Sequence, residues 1–271
     1  MPLRLLPLLC LLAAPAAHAC GSAEDPCRIE TGRYLIHQPE GRPRGAVVFL
    51  HGHGGTALGT MAMAEVVSSV LDRGYAFVAA EGTPRGENGG HGWAFRGGGT
   101  RDETAYLAQL FDDLAARQGI DRDAILMAGF SAGGFMTSYL ACAHPDMAAA
   151  YAPVSGGFWR PMPESCAGPV RLFHTHGWAD TTVPLEGRAL RSGGGLQGDI
   201  WAGVELWRQT DGCTAMRPDT TSAEGPFWRR SWTACAPGAS LEFALFPGGH
   251  MVPPGWADMV LDWYEALPPA G

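Results

Sequence analysis

Residues 124–134 read Ala-Ile-Leu-Met-Ala-Gly-Phe-Ser-Ala-Gly-Gly. An apolar run, Ala124–Gly129, leads into a glycine-flanked serine, and Ala132–Ala143 continues as a helix of mostly small residues. The run suits a strand buried on both faces, and Gly129-Phe130-Ser131-Ala132-Gly133 matches the pattern G-x-S-x-G. A sharp strand-to-helix turn needs glycines on either side of the serine, because a Cβ there would collide with the neighbouring strand and helix. Such a turn lifts the Ser131 hydroxyl out at the sheet's edge, beside helix N–H groups that favour developing negative charge. Taken alone, the string fits a serine N-cap in a tight turn equally well.

The flanking sequence decides the class. Arg33–Gln38, Ala46–Leu50, Tyr75–Ala80, Ala148–Val154, Val170–Thr175, Trp228–Ala234 and Leu241–Phe246 read as further strands. Between them, Met61–Leu71 and Ile200–Thr210 read as helices. Another helix opens at Thr100-Arg101-Asp102-Glu103, a capping box, and places Leu107, Leu110, Phe111 and Leu114 on one face. A final helix shows Trp256, Met259, Val260 and Trp263 at helical spacing, and Trp201 and Trp207 read as core in the same way. Strands alternating with helices predict an α/β fold: a mostly parallel central sheet, helices on both faces, and one domain over residues 20–271. The Gly-rich stretch 81–101 is long for a connector in such a fold, so it is expected to line a site.

Two downstream stretches supply partners for Ser131. Residues 174–180 read His-Thr-His-Gly-Trp-Ala-Asp, which puts Asp180 just past a strand end. Residues 247–251 read Pro-Gly-Gly-His-Met, which puts His250 in a loop after the last strand. The order Ser131, Asp180, His250 is that of an α/β-hydrolase triad: His250 as base and acid, Asp180 holding its tautomer. Upstream, Leu50 is followed by His51-Gly52-His53-Gly54-Gly55. The N–H groups of His53 and Ala132 are the expected oxyanion donors, with Gly54 as the substitute for His53. Trp93, Phe158, Trp159 and Trp178 fall in loops expected around Ser131, and Trp93, Trp159 and Trp178 are the candidate substrate-binding aromatics. The pairs His51/His53 and His174/His176 lack a third ligand at matching spacing, so no metal is expected, and His51 and His176 read as hydrogen-bonded supports below the site.

The segments His51–Gly55, Gly129–Gly133, His176–Asp180 and Gly248–His250 together resemble the α/β-hydrolase esterases related to polyhydroxybutyrate depolymerases and feruloyl esterases. The resemblance runs from about Gly32 to the C-terminal helix. It implies cofactor-free ester hydrolysis by a secreted enzyme, with Ser131, Asp180 and His250 at the triad positions. His53, Trp178 and Met251-Val252-Pro253 depart from the common pattern, which leaves the substrate open between hydroxyacyl (oligo)esters and feruloyl or acetyl esters. A serine peptidase on the same fold and a non-catalytic carbohydrate- or ligand-binding protein are the alternatives.

Composition agrees with an exported globular protein. Of 271 residues 46% are hydrophobic and 17% charged, the net charge is −8, and all 19 basic residues are arginine. A chain without lysine cannot form a pyridoxal Schiff base or complete a Walker A loop, and its acidity disfavours nucleic-acid partners. Arg4, the apolar stretch from Leu5 to Ala16 and the small residues of Ala17-His18-Ala19 read as a cleavable signal over residues 1–19, too short to span a membrane. Secretion or periplasmic location follows, with lipid attachment at Cys20 as an alternative. Beyond Cys10 in that signal, Cys20, Cys27, Cys142, Cys166, Cys213 and Cys235 form an even set suited to three disulfides. Six cysteines allow about fifteen pairings. The neighbour pairs Cys20–Cys27, Cys142–Cys166 and Cys213–Cys235 are the expectation.

Overall fold

The computed structural model describes residues 20–268 apart from 87, 88, 191, 192 and 194; the signal segment therefore lies outside the described residues. In chain order the strands are β1 (Cys27–Ile29), β2 (Gly32–His37), β3 (Ala46–Leu50), β4 (Ala76–Ala80), β5 (Thr83–Arg85), β6 (Gly89–Gly92) and β7 (Ile125–Phe130). They continue as β8 (Ala150–Val154), β9 (Trp159–Arg160), β10 (Arg171–Gly177), β11 (Leu196–Gln197), β12 (Thr220–Glu224), β13 (Phe227–Trp232) and β14 (Ser240–Phe246). The helices are α1 (Ala57–Met61), α2 (Ala64–Asp72), α3 (Glu103–Gln118), α4 (Ala132–Ala143), α5 (Ile200–Thr210) and α6 (Trp256–Ala266).

Ten strands form one sheet in the order β1-β2-β4-β3-β7-β8-β10-β14-β13-β12. The centre, from β4 to β14, is parallel throughout, and antiparallel strands close both edges. Alternation along the buried strands divides the core. Val47 and Phe49 of β3 join the cluster under α2 and α6, whereas Val48 and Leu50 join the one under α3, α4 and α5. The parallel strands point their C-terminal ends to a common edge, where ligand sites of open α/β sheets form. Ser131, Asp180 and His250 all follow such strand ends.

Several elements differ from the sequence expectation. The helix expected at Met61–Leu71 is two helices: Thr56 caps α1 through its side chain, the chain turns at Ala62-Met63, and α2 then sends Val66, Val67 and Val70 into the core. The capping box at Thr100 does not form, because Asp102 is the N-cap of α3 and accepts from the Ala105 N–H. Strand β12 has no sequence signature, since all five residues are exposed and it is held only by pairing with β13. Trp201 is 39% exposed rather than core, while Trp207, Trp256 and Trp263 are buried. Disulfides join Cys20 to Cys27, Cys142 to Cys166 and Cys213 to Cys235. Bonded to Cys27, Cys20 has no free thiol to carry a lipid.

Candidate active site

Strand β7 ends at Phe130, and the next residue takes a conformation that L side chains rarely adopt. Ser131 has φ 55° and ψ −115°, held from below by its N–H donating to the Val154 carbonyl at 2.9 Å. The glycines on either side are required by close approach. A Cβ on Gly129 would stand 2.5 Å from the Gly133 backbone, and one on Gly133 would stand 2.1 Å from the Leu50 carbonyl oxygen. Ser131 is thus the apex of a strand–turn–helix, with the first N–H groups of α4 beside it.

Residues far apart in sequence meet above this turn. His250 Nε2 lies 2.8 Å from Ser131 Oγ, and His250 Nδ1 lies 2.7 Å from Asp180 Oδ2. The loops that carry Asp180 and His250 are laced by their backbones. Trp178 N–H donates to the Phe246 carbonyl and Ala179 N–H to that of Gly248. At Gly177 the His250 loop passes so closely that a Cβ would meet the Gly249 oxygen at 2.3 Å. Phe130 packs its ring 4.7 Å from that of His250.

The carboxylate is fixed from the other side as well. Asp180 Oδ1 accepts the N–H groups of Thr182 and Val183 at 2.9 and 2.8 Å. Burial alone would push the Asp180 carboxyl up. Hydrogen bonds from His250 and the Val183 N–H outweigh this and bring it below its ordinary value instead. It is therefore an anion at neutral pH, able to accept from His250 Nδ1–H and to leave Nε2 as the acceptor facing Ser131. Below lies the buried pair His174 and His176. His176 Nε2 donates to the Val183 carbonyl at 2.8 Å, so its Nδ1 is the acceptor toward His174 Nε2 at 3.1 Å. Burial holds both imidazoles below the ordinary histidine value, and both are neutral. His176 braces the Asp180–Val183 turn.

The loop His51–Gly55 leaves the end of β3 next to this constellation. Among the described residues the His53 N–H makes no backbone hydrogen bond, and the Ala132 N–H has no intrahelical partner at the start of α4. Gly54 cannot replace His53 as a donor, because its N–H is spent on the His91 carbonyl at 2.9 Å. His51 is buried, its Nδ1 donating to the Gly52 carbonyl and its Nε2 accepting from the Gly82 N–H. Burial holds this ring below the ordinary histidine value, in keeping with a neutral acceptor.

The aromatic residues divide into three environments. Trp93 is only 6% exposed; its indole N–H donates to the His51 carbonyl at 2.8 Å and its ring packs on those of His51 and Tyr106. It supports the loop from behind, which corrects the expectation that it meets substrate. Trp159 is buried against Phe95, Phe135 and the Arg96 guanidinium, and its indole N–H has no partner among the described residues. Trp178 is 57% exposed and stands edge-to-face with Trp228, also exposed, at 5.9 Å. Glu81 and His91, which hold the His51–Ala57 segment from below, were missed in the sequence. The one available signal was an acidic residue directly after a wholly apolar strand.

The fold and this geometry have counterparts among known proteins. The family described as Phospholipase/Carboxylesterase matches residues 32–192. Probable feruloyl esterase C of Aspergillus terreus is 27% identical over 266 residues, covering 89% of this chain and 86% of that protein. Poly(3-hydroxyalkanoate) depolymerase C of Paucimonas lemoignei is 32% identical over 135 residues, which is 48% of this chain and 31% of that longer protein. Among solved structures, an acetyl xylan esterase from Aspergillus awamori superposes with a TM-score of 0.66 at 17% identity, covering 86% of this chain and 93% of its own. The Bacillus cereus carboxylesterase gives 0.57 at 17% identity, over 86% and 92% of the two chains. At those identities the structures speak for the fold alone, whereas the family match spans most of the sheet and the turn at Ser131. The chain belongs to the phospholipase/carboxylesterase family and is an ester hydrolase built on the α/β-hydrolase fold.

Proposed function

We propose that the protein is a secreted serine carboxylic-ester hydrolase, in which Ser131, His250 and Asp180 act as a triad on hydroxyacyl, feruloyl or acetyl esters. The observation that carries this reading is the unbroken hydrogen-bonded line from Ser131 Oγ through His250 to Asp180, at 2.8 and 2.7 Å, on a serine held at positive φ. Ser131 Oγ attacks the ester carbonyl carbon while His250 Nε2 takes its proton. The carbonyl π pair moves to oxygen and is met by the N–H groups of His53 and Ala132. Collapse of that adduct expels the alcohol, which leaves with the proton from His250. Water then repeats the sequence on the acyl-Ser131, and Asp180 stabilises the imidazolium each time it forms.

Support for the ester classes comes from the names of the relatives and from the sheet edge itself. Trp178, two residues before Asp180 in the chain, offers an exposed aromatic face, and Trp159 a buried N–H without a partner among the described residues. Both remain candidates for substrate contact, Trp178 for a flat ring or apolar acyl chain. The segment 1–19 fits an export signal ahead of a single catalytic domain over 20–271, and three disulfides suit an oxidising compartment.

The test is turnover of aryl acetate, aryl butyrate and methyl ferulate by the oxidised chain beside Ser131→Ala. The expected result is hydrolysis by the parent and a loss of at least about 10³-fold in the variant. Equal turnover by the two proteins would remove Ser131 from the mechanism.

A further inference from the structure

Glu81 follows the last residue of β4 at the sheet edge that carries the triad, and its carboxylate is buried behind the His51–Ala57 segment. Its Oε1 accepts the Ala57 N–H, the first of α1, at 3.0 Å. The same oxygen stands 3.5 Å from His91 Nδ1 and 3.9 Å from His51 Nε2, while Oε2 meets the Arg33 guanidinium at 3.3 Å. Glu81 is fixed in turn: its N–H donates to the Tyr106 hydroxyl and its carbonyl accepts from Arg101.

The bonds around it fall on both sides of His53. Before that residue, the His51 carbonyl accepts from the Trp93 indole and the His51 ring accepts from the Gly82 N–H. After it, Gly54 N–H donates to the His91 carbonyl, His91 N–H donates to the Gly55 carbonyl, and Ala57 N–H donates to Glu81. A Cβ on Gly90 would lie 1.8 Å from the Gly54 oxygen, so β6 is pressed directly on this loop. At the crest, among the described residues, the His53 N–H makes no hydrogen bond.

We infer that Glu81 is a positioning residue for oxyanion stabilisation: its buried carboxylate, paired with Arg33, anchors the Ala57 N–H at the far end of the His51–Ala57 segment, and thereby aims the His53 N–H at the developing oxyanion. The inference rests on the esterase reading above. Glu81 touches no reacting atom. Its removal frees the far anchor of a loop whose donor must be placed accurately, and misplacement by about 1 Å costs about 10²-fold in rate.

Glu81→Gln keeps the shape and the Ala57 acceptor but loses the charge paired with Arg33; Glu81→Ala loses the anchor. Each is assayed on aryl acetate well below its melting temperature and titrated with an aryl trifluoromethyl ketone. Ser131 Oγ adds to that ketone carbon, the π pair becomes an oxyanion, and the proton passes to His250. The expected result is kcat lowered about 10-fold in Glu81→Gln and about 100-fold in Glu81→Ala, with KM within about twofold. Ketone affinity should fall by the same factor as kcat/KM, which a general loosening of the fold would not produce. If Glu81→Ala does not fold, Glu81→Gln decides alone. Turnover unchanged in the variants, or a fall in kcat/KM without a matching loss of ketone affinity, overturns the inference and leaves the esterase reading standing. A parent chain inert to both ester and ketone overturns the two together.

Discussion

At the scale of single residues, Ser131 and Asp180 are each held in place by more bonds than their proposed roles use. Ser131 sits in a backbone region that costs about 1–3 kcal/mol, and its own N–H and carbonyl are tied to Val154 and Phe135. Asp180 uses one oxygen for two backbone N–H groups and keeps the other for His250. Asp180→Asn retains an acceptor for Thr182 and Val183 but can turn its amide N–H toward His250 Nδ1. The imidazole then carries its proton on Nε2, facing Ser131, and cannot act as base. Aryl acetate turnover should fall about 10³–10⁴-fold with the fold intact by circular dichroism. These residues could be named from the sequence because each is a chemically special side chain beside a glycine-rich turn at a strand end. The role of Trp93, the lost donor at Gly54 and the anchor at Glu81 could not, because each depends on which backbone group a neighbouring loop has already occupied.

At the scale of elements, the central strands and the long helices were legible, since a buried run such as Ala46–Leu50 and a stripe such as Leu107, Leu110, Phe111 and Leu114 follow from period alone. The edge strand β12 and the break between α1 and α2 were not, because pairing and docking decide them. The end of α5 carries a feature that only burial reveals. Asp211, its C-cap, is fully buried with Oδ1 accepting from the Val170 N–H and Oδ2 unpartnered among the described residues. Burial raises its carboxyl to about 7, against 3.8 for a free aspartate, with the Val170 N–H opposing the shift. The folded state therefore keeps a proton that the unfolded chain releases. Nothing is lost below about pH 4; stability then declines as pH rises to about 7 and stays lower above it, by something on the order of 4 kcal/mol. Asp211→Asn keeps the acceptor for Val170 and removes the titration. Its melting temperature should exceed the parent's at pH 8, and the gap should close as pH falls toward 4. A gap independent of pH would show that Asp211 is ionised in the fold.

At the scale of the whole molecule, chemistry and reinforcement occupy opposite edges of the sheet. The parallel strands end at the triad, and α4 starts there and runs back, so its last turn, with Cys142, lies at the far edge bonded to Cys166. The end of α5 reaches the same far edge, where Asp211 meets Val170 at the start of β10 and Cys213 is bonded to Cys235. These two disulfides close sequence separations of 24 and 22 residues, against 7 for Cys20–Cys27. In the chain-entropy account each of the longer loops is worth about 3 kcal/mol and the short one about 2. For a chain of this length 3 kcal/mol corresponds to about 6–12 °C in melting temperature. The double substitution Cys142→Ala with Cys166→Ala, and likewise Cys213→Ala with Cys235→Ala, should therefore lower the melting temperature by that amount. Because no atom of either bridge belongs to the loops that carry Ser131, His53, Asp180 or His250, kcat/KM for aryl acetate at 25 °C should stay within about twofold. Thermal scans and initial rates on the same preparations check both halves. A large loss of kcat/KM in folded protein would mean that the far edge is coupled to the site, in which case α4, which follows Ser131 at one end and carries the bonded Cys142 at the other, is the element that transmits it.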